Sequence, residues 1–456
     1  MSATTPKTVL PGPYVPEKLG AACGDYSLRI IWQTLMFFLP IFYTDTFGLS
    51  PVFIAGLFLW VRVIDAVTDP LCGILCDRTR TRWGKYRPYL LWFSIPYGVS
   101  IFLMFTTPDF DPAGKQVYAA VTYTLVMLLF TVTATPNNCL TAVISDDHET
   151  RTSVSSYKFV FAYAAGFTVQ LLIVPLVQKL GAGDSATGYR LSMGIFAVIS
   201  IIGLLITFAT VRERVPPPEG KASVRQDLLD LRHNRPWLIV FGLALVALIY
   251  IAIRSASVAY YFKYVLDREA QMGVFMSVGT AFVLIGVLPS TYLARRFGKV
   301  KVMQVCMGIV LLSLVGFYFP GPDDMVALYA LQIVFSLASG PMFPLIWSML
   351  ADTADYSEWK TGRRADGLVF SAGTFATKMG FAVGGMFVMI VLGWFGFVAN
   401  EAQSESSLTG IRLSMSLIPA AVVLVGMVGF ARYPLTNAKL TTMAADLRAR
   451  RAAATE

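Results

Sequence analysis

Charge is scarce in this chain. Only 14% of its 456 residues are Asp, Glu, Lys or Arg, against 55% hydrophobic residues, and the mean hydropathy is +0.61. A water-soluble domain of this length needs more charge to cover its surface, so an ordinary soluble enzyme or binding module is excluded and a polytopic membrane protein is implied. Histidine is rarer still: the two, His148 and His233, stand in polar segments. That excludes a histidine zinc cluster and an intramembrane histidine proton relay. The five cysteines (Cys23, Cys72, Cys76, Cys139, Cys306) lie in or beside apolar runs without paired spacing. They read as small buried residues, not as a disulfide framework or metal ligands. A Cys/His nucleophile arrangement and a phosphate-binding glycine loop are also missing, so neither catalysis nor a cofactor is expected. Residues 1–18 are polar and Pro-rich, with no short apolar core before a cleavage site, so the first apolar helix is expected to direct insertion.

Runs of about 20 apolar residues recur twelve times, centred near residues 31, 63, 98, 130, 168, 200, 250, 283, 312, 339, 380 and 422. With the N-terminus in the cytoplasm, most Lys and Arg outside these runs fall on the inner side. Arg78 to Arg87, Arg212 to Arg235, Arg295 to Lys301 and Arg448 to Arg451 form the inner clusters, as the positive-inside rule requires. The net charge of +9 is therefore topology, and no nucleic-acid partner is expected. Both termini are placed in the cytoplasm and the protein in the cytoplasmic (inner) membrane.

The longest polar interruption, with Pro216-Pro217-Pro218 inside it, divides the spans six and six. The expected organisation is an N-terminal segment 1–18, a six-helix bundle 19–211, a linker 212–236, a second bundle 237–433 and a basic, mobile cytoplasmic tail 434–456. A short membrane-surface helix is expected at 224–234. Trp83-Gly84-Lys85 and Phe297-Gly298-Lys299 each follow the second span of their half, 214 residues apart. This degraded repeat implies two pseudo-symmetric six-helix bundles with a site between them. An all-α membrane protein with 12 transmembrane helices is the expected fold class.

The second run holds Arg62, Asp65 and Asp69, although a charge at mid-membrane costs about 2.5–3.5 kcal/mol on the lenient insertion scale. Residues three and four apart share a helix face, so all three stack together. Two carboxylates one turn apart repel, which leaves one of them needing a proton or a cation. Arg62 can neutralise one acid as a brace; a second carboxylate remains. Other charges within spans are Asp25, Arg29, Lys158, Arg254 and Lys378, giving five cations against three acids. If they share a cavity, that excess favours an anionic sugar such as a hexuronide.

Several segments resemble the glycoside–pentoside–hexuronide:cation symporter family, the melibiose-permease-like branch of the major facilitator superfamily. They are Gly24-Asp25-Tyr26, Tyr43-Thr-Asp45-x-Phe-Gly-Leu49, Arg62-x-x-Asp65-Ala-x-x-Asp69-Pro70, Arg82-Trp-Gly84-Lys85-x-Arg-Pro88, Asn234-Arg-Pro-Trp237, Tyr260-Tyr-Phe-Lys263-Tyr264, Ala351-Asp-Thr-x-Asp355-Tyr-x-Glu358-Trp-Lys-Thr-Gly362 and Lys378-x-Gly380. The resemblance implies a major facilitator fold and cation-coupled (H⁺ or Na⁺) sugar symport by alternating access. It implies a cation site at Asp65 and Asp69 with Thr68 and Thr131. It also implies a sugar site using Asp25, Lys158, Trp347 and Lys378, with Asn138 and Arg254 as further candidates. A carboxylate and a cation suit sugar hydroxyls, and an indole covers an apolar sugar face. Lys158 can instead snorkel to the inner surface, Asp25 can simply pair near a helix end or with Arg29, and Arg254 can reach outer headgroups. Arg62, Asp77, Arg78, Lys85, Asp355, Arg363 and Arg364 are expected to act as structural or gating braces.

Melibiose-type members carry an acid and an aromatic where this chain has Ala134 and Asn138, and an asparagine that supports Na⁺ use where it has Thr68. The first departure argues against a galactoside, the second against Na⁺. A lysophospholipid transporter of the same superfamily is the alternative reading. The expected partners are a small sugar, a coupling cation and membrane lipid, with the chain working as a monomer and with no metal beyond Na⁺.

Overall fold

The computed structural model describes residues 14–145, 147–214, 234–361, 366–435, 439–440, 442–443, 445–447 and 449. Arg363, Arg364 and the expected linker helix up to His233 lie outside these residues, and so does the side chain of Asp77.

Helices begin where the sequence supplies a side-chain cap. Asp111, Asp147, Asp184, Asn234 and Ser404 each accept a backbone N–H of the following first turn. In chain order the long helices are α1 (Val15–Phe37), α2 (Pro51–Arg78), α3 (Arg87–Met104), α4 (Pro112–Val143), α5 (His148–Gly181) and α6 (Ser185–Thr210). They continue with α7 (Arg235–Tyr260), α8 (Met272–Val287, resumed as Ser290–Phe297 after Pro289) and α9 (Lys299–Gly316). The last three are α10 (Met325–Ser339 and Met342–Thr361, broken at Gly340-Pro341), α11 (Asp366–Trp394) and α12 (Glu405–Met415 and Leu417–Phe430). Among the described residues there is no strand beyond an isolated bridge between Thr81 and Gly84.

Among the described residues, ten segments are long and apolar enough to cross a membrane. α1 and α3 complete the twelve expected. α1 falls short in hydropathy because Asp25, Arg29 and Gln33 interrupt it, the same residues that make it interesting.

The chain divides into two compact units, Met1–Leu35 with Val63–Glu219, and Met36–Arg62 with Gly220–Glu456. Both α1 and α2 are therefore shared: their ends around the α1–α2 turn group with the second unit. In the first unit, glycines bring α1 close to its neighbours. A Cβ on Gly24 would lie 2.5 Å from Asn137 Oδ1 on α4 and 2.6 Å from Thr207 Oγ1 on α6. Only a small residue permits that approach, and it seats the adjacent Asp25 against α4. In the second unit Gly380 and Gly384 do the same for α11 against α7, where a Cβ would lie 2.5 Å from Leu248 and Ala252.

A backbone repeat appears at two helix ends. α1, after a break, ends in a π turn at Phe42–Thr46, and α7 runs into one at Tyr261–Val265. In the first, Phe47 N bonds Phe42 O (2.9 Å) and Leu49 N bonds Tyr43 O (2.8 Å); in the second, Leu266 N bonds Tyr261 O (3.0 Å) and Arg268 N bonds Phe262 O (2.9 Å). The widening recurs 219 residues apart.

The tail differs from expectation. Lys439 lies over the Tyr356 ring, Asp446 accepts from Trp359 Nε1 at 3.0 Å, and Met443 and Leu447 are buried. Apolar residues spaced four apart give this short stretch a face that docks on the end of α10.

Candidate functional site

In the first unit the residues expected to form the cation site lie on α2 and α4. Asp65 and Thr131 are buried, and Asp69 Oδ1 accepts a hydrogen bond from Thr131 Oγ1 at 3.0 Å. Cys72 Sγ donates to the Thr131 carbonyl at 3.7 Å, fixing that turn of α4 on α2. Thr68 Oγ1 is buried without a hydrogen-bond partner among the described residues. Pro70 has no N–H, so the Ala66 carbonyl lacks its helical donor on the turn between the two acids. Carboxylates, hydroxyls and a carbonyl that lacks its helical donor are hard oxygens, the donor type that takes Na⁺ or a shared proton. Arg62 is buried on the same helix.

Also in the first unit, α1, α4 and α5 bring Asp25 and Lys158 together. Lys158 Nζ lies 3.8 Å from Asp25 Oδ1 and donates to the Asn137 carbonyl and to Thr141 Oγ1, both at 3.2 Å. The lysine is turned inward to α4 and does not snorkel. Asp25 also lies 3.6 Å from Arg29 Nε, so one carboxylate serves two cations. Asn138 is exposed on α4, one turn from the half-buried Ala134, the position where melibiose-type members carry an acid. Neighbouring Asn137 was passed over in the sequence; its amide is buried, and neither side-chain atom has a partner among the described residues.

Trp347, Lys378 and Arg254 belong to the second unit. Trp347 is half-buried in an apolar cleft with Ala247, Leu248, Phe343, Ile346 and Thr377, and Gly373 leaves room for its ring, 3.2 Å from where a Cβ would stand. Lys378 is half-buried on α11. Arg254 answers neither sequence expectation. It is 8% exposed, its guanidinium lies between the Phe317 and Phe335 rings (4.4 and 4.1 Å to their centroids), and it donates to Gln332 Oε1 at 2.5 Å. Cation–π contacts and one amide replace a carboxylate there, making an interior brace of α7, α9 and α10.

The braces resolve unevenly. Arg78 is exposed, while Lys85 and Asp355 are half-buried. The geometry of the α2–α3 loop comes from Glu213, which sequence reading missed. Its carboxylate accepts the backbone N–H groups of Lys85, Tyr86 and Arg87 at 2.8, 2.7 and 2.9 Å. In the second half Lys299 pairs with Asp352 at 2.6 Å, three residues before Asp355.

A second missed cluster joins the two π turns. Lys263 Nζ pairs with Asp45 Oδ2, Tyr264 Oη donates to the same oxygen at 2.5 Å, and Thr44 Oγ1 meets Tyr260 Oη at 3.0 Å. Asn400, between α11 and α12, closes it. Asn400 Nδ2 donates to the Asp45 carbonyl (2.5 Å), Asn400 Oδ1 accepts from Lys263 (2.9 Å), and Asn400 N donates to Tyr264 Oη (2.9 Å). Asn400 has φ +59°, a left-handed conformation that Asn tolerates better than most residues. The only hint in the sequence was that Asp45 and Lys263 sit in equivalent segments of the two halves.

The family model for MFS/sugar transport proteins matches residues 20–437. YagG of Escherichia coli (strain K12), assigned by name to glycoside/cation symport, is 36% identical over 440 residues, 96% of this chain and 95% of its own. The isoprimeverose transporter of Lactiplantibacillus pentosus is 33% identical over 427 residues, 91% of this chain and 88% of its own. In fold the chain is similar to the nucleoside transporter NupG (D323A mutant), with TM-score 0.68 over 91% of this chain and 99% of that one at 14% identity. By the extent of the family match and by these relatives, the chain belongs to the MFS/sugar transport protein family.

Proposed function

We propose that this protein is a cation-coupled symporter of a sugar or glycoside in the cytoplasmic membrane. Its termini face the cytoplasm, and it works as a monomer by alternating access. The observation that carries the reading is the pairing of two sites along α4. Thr131 binds Asp69 of the acid pair, and six to ten residues later Asn137 and Thr141 hold Lys158 beside Asp25. At about 1.5 Å rise per residue this puts the two contacts about 9–15 Å apart on one rigid helix. The relatives assigned to glycoside/cation symport and isoprimeverose transport support the same substrate class.

In this reading Asp65 and Asp69, with Thr68 and Thr131, take the coupling ion, and Thr68 in place of asparagine favours H⁺ over Na⁺. Asp25, Lys158 and Asn138, with Trp347 and Lys378, take the sugar. Arg62, Arg78, Lys85 and Asp355 act as braces. Ion binding removes the repulsion between the acids and steadies α4, so the sugar binds a better-ordered site. Linkage then requires the sugar to raise ion affinity by the same factor. Titrating the purified protein with sugar at several pH values, with and without Na⁺, tests this. The expected result is a sugar affinity that rises with one of the two cations; an affinity indifferent to both contradicts it.

A further inference from the structure

Arg254 is an enclosed cation with only neutral neighbours. It lies inside the α7 span, is 8% exposed, and its guanidinium sits 4.4 and 4.1 Å from the ring centroids of Phe317 and Phe335. Nη2 donates to the Gln332 amide oxygen at 2.5 Å, and Nε is buried without a hydrogen-bond partner among the described residues. No carboxylate pairs with it there. The one titratable group close enough to act on its charge is Tyr250, one turn earlier on α7. That phenol is neutral near pH 7, and its hydroxyl is turned to the Met342 sulfur at 3.9 Å.

These contacts do not neutralise the residue. A cation–π contact acts above and below the guanidinium plane, through the ring quadrupole, and satisfies no N–H. The donors lie in that plane, and an arginine has five of them, always charged. One amide oxygen takes one donor. A buried charge is tolerated when it is paired and hydrogen-bonded, and is costly otherwise. The shell of two phenyl rings, an amide and a phenol leaves room for little, so the compensating anion must be small and monovalent. It must also be weakly enough hydrated to exchange water for N–H donors. A sugar acid or a phosphate ester is too large for a guanidinium so enclosed.

We infer that Arg254 holds a halide, chloride under ordinary conditions, at its unpaired N–H edge, as a structural counter-ion of the second unit. The site is made of other residues than those assigned to the sugar and the coupling ion, and does not depend on that assignment. Gln332 stands where an acid would have made the protein independent of halide.

The test is thermal unfolding of the purified full-length protein in detergent, at constant Na⁺, with gluconate replaced stepwise by chloride, bromide or sulfate. Exclusion of salt from the protein surface ranks sulfate above the halides; a bound halide reverses that order. The expected result is a melting midpoint that rises with chloride and bromide, saturates as one site requires, and exceeds any rise with sulfate. Arg254→Gln should melt lower than wild type and lose the halide response. Gln332→Glu, which places a carboxylate on the guanidinium, should lose the response while melting at least as high in gluconate as wild type does. Either variant decides the matter if the other fails to fold. A wild-type midpoint that follows sulfate at least as well as chloride, or a halide response that survives in Arg254→Gln or Gln332→Glu, overturns the inference.

Discussion

Lys263 and Asp45, 218 residues apart in sequence, form an ion pair between two π turns that recur at matching helix ends. The acid is nearly buried, with 5% of its side chain exposed, and the lysine is 28% exposed. Tyr264 and Asn400 complete the cluster, so it ties the α1–α2 turn to α7 and to the α11–α12 connection. Removing one partner of such a pair leaves the other charge poorly solvated, which costs more than the pair contributes. Asp45→Asn and Lys263→Met are each expected to destabilise by about 1–3 kcal/mol, and the double variant by less than their sum. Thermal unfolding in detergent across the double-mutant cycle checks this, and additive effects would remove the coupling.

Asn400 makes three of those bonds from a left-handed backbone. Asn400→Ala loses the side-chain bonds and keeps the strain; Asn400→Gly loses the bonds and relieves the strain. Alanine should therefore be the more destabilised by about 1 kcal/mol. The melting midpoints of the two variants decide it.

Thr131→Val removes the hydroxyl that donates to Asp69. A hydrogen bond to a charged group contributes about 1.5–3 kcal/mol, so coupling-ion affinity is expected to fall roughly ten- to a hundredfold, while Thr131→Ser holds it. Cation titration of sugar binding reads the difference.

Arg254→Gln is expected to lower the melting temperature with little change in the KM for sugar, because the guanidinium braces Phe317, Phe335 and Gln332. A large rise in KM with unchanged stability would return Arg254 to the substrate site.

Glu213→Gln weakens three backbone hydrogen bonds at once, and Gly84→Ala drives a Cβ to 2.6 Å from the same carboxylate at φ +111°. Both are expected to destabilise the α2–α3 loop by about 1–3 kcal/mol. Protease sensitivity at the Arg80–Lys85 loop measures it.

The membrane class and the Asp65/Asp69 acid pair were legible because charge within an apolar run is conspicuous at single-residue level. The Asp25–Lys158 pair was legible only as two separate residues; that Lys158 turns to Asn137 and Thr141 depends on α4 and α5 packing, which spacing along one helix does not encode. Arg254 was misplaced for a similar reason, since the rings that enclose it come from α9 and α10. Arg29 was discounted because its neighbour Asp25 is close in sequence, and the competing lysine lies 129 positions further on. The Asp45–Lys263 pair and Glu213 were hidden because their partners are either far away in the chain or backbone N–H groups, which leave no residue-type signature.

Cation movement driven by sugar tests the central claim most directly. Purified protein in proteoliposomes, with no imposed gradient except that of the sugar, is predicted to carry H⁺ or Na⁺ inward with it. That flux should vanish in Asp65→Asn and Asp69→Asn. Sugar entry that moves neither ion, or an ion flux that survives both substitutions, would contradict it.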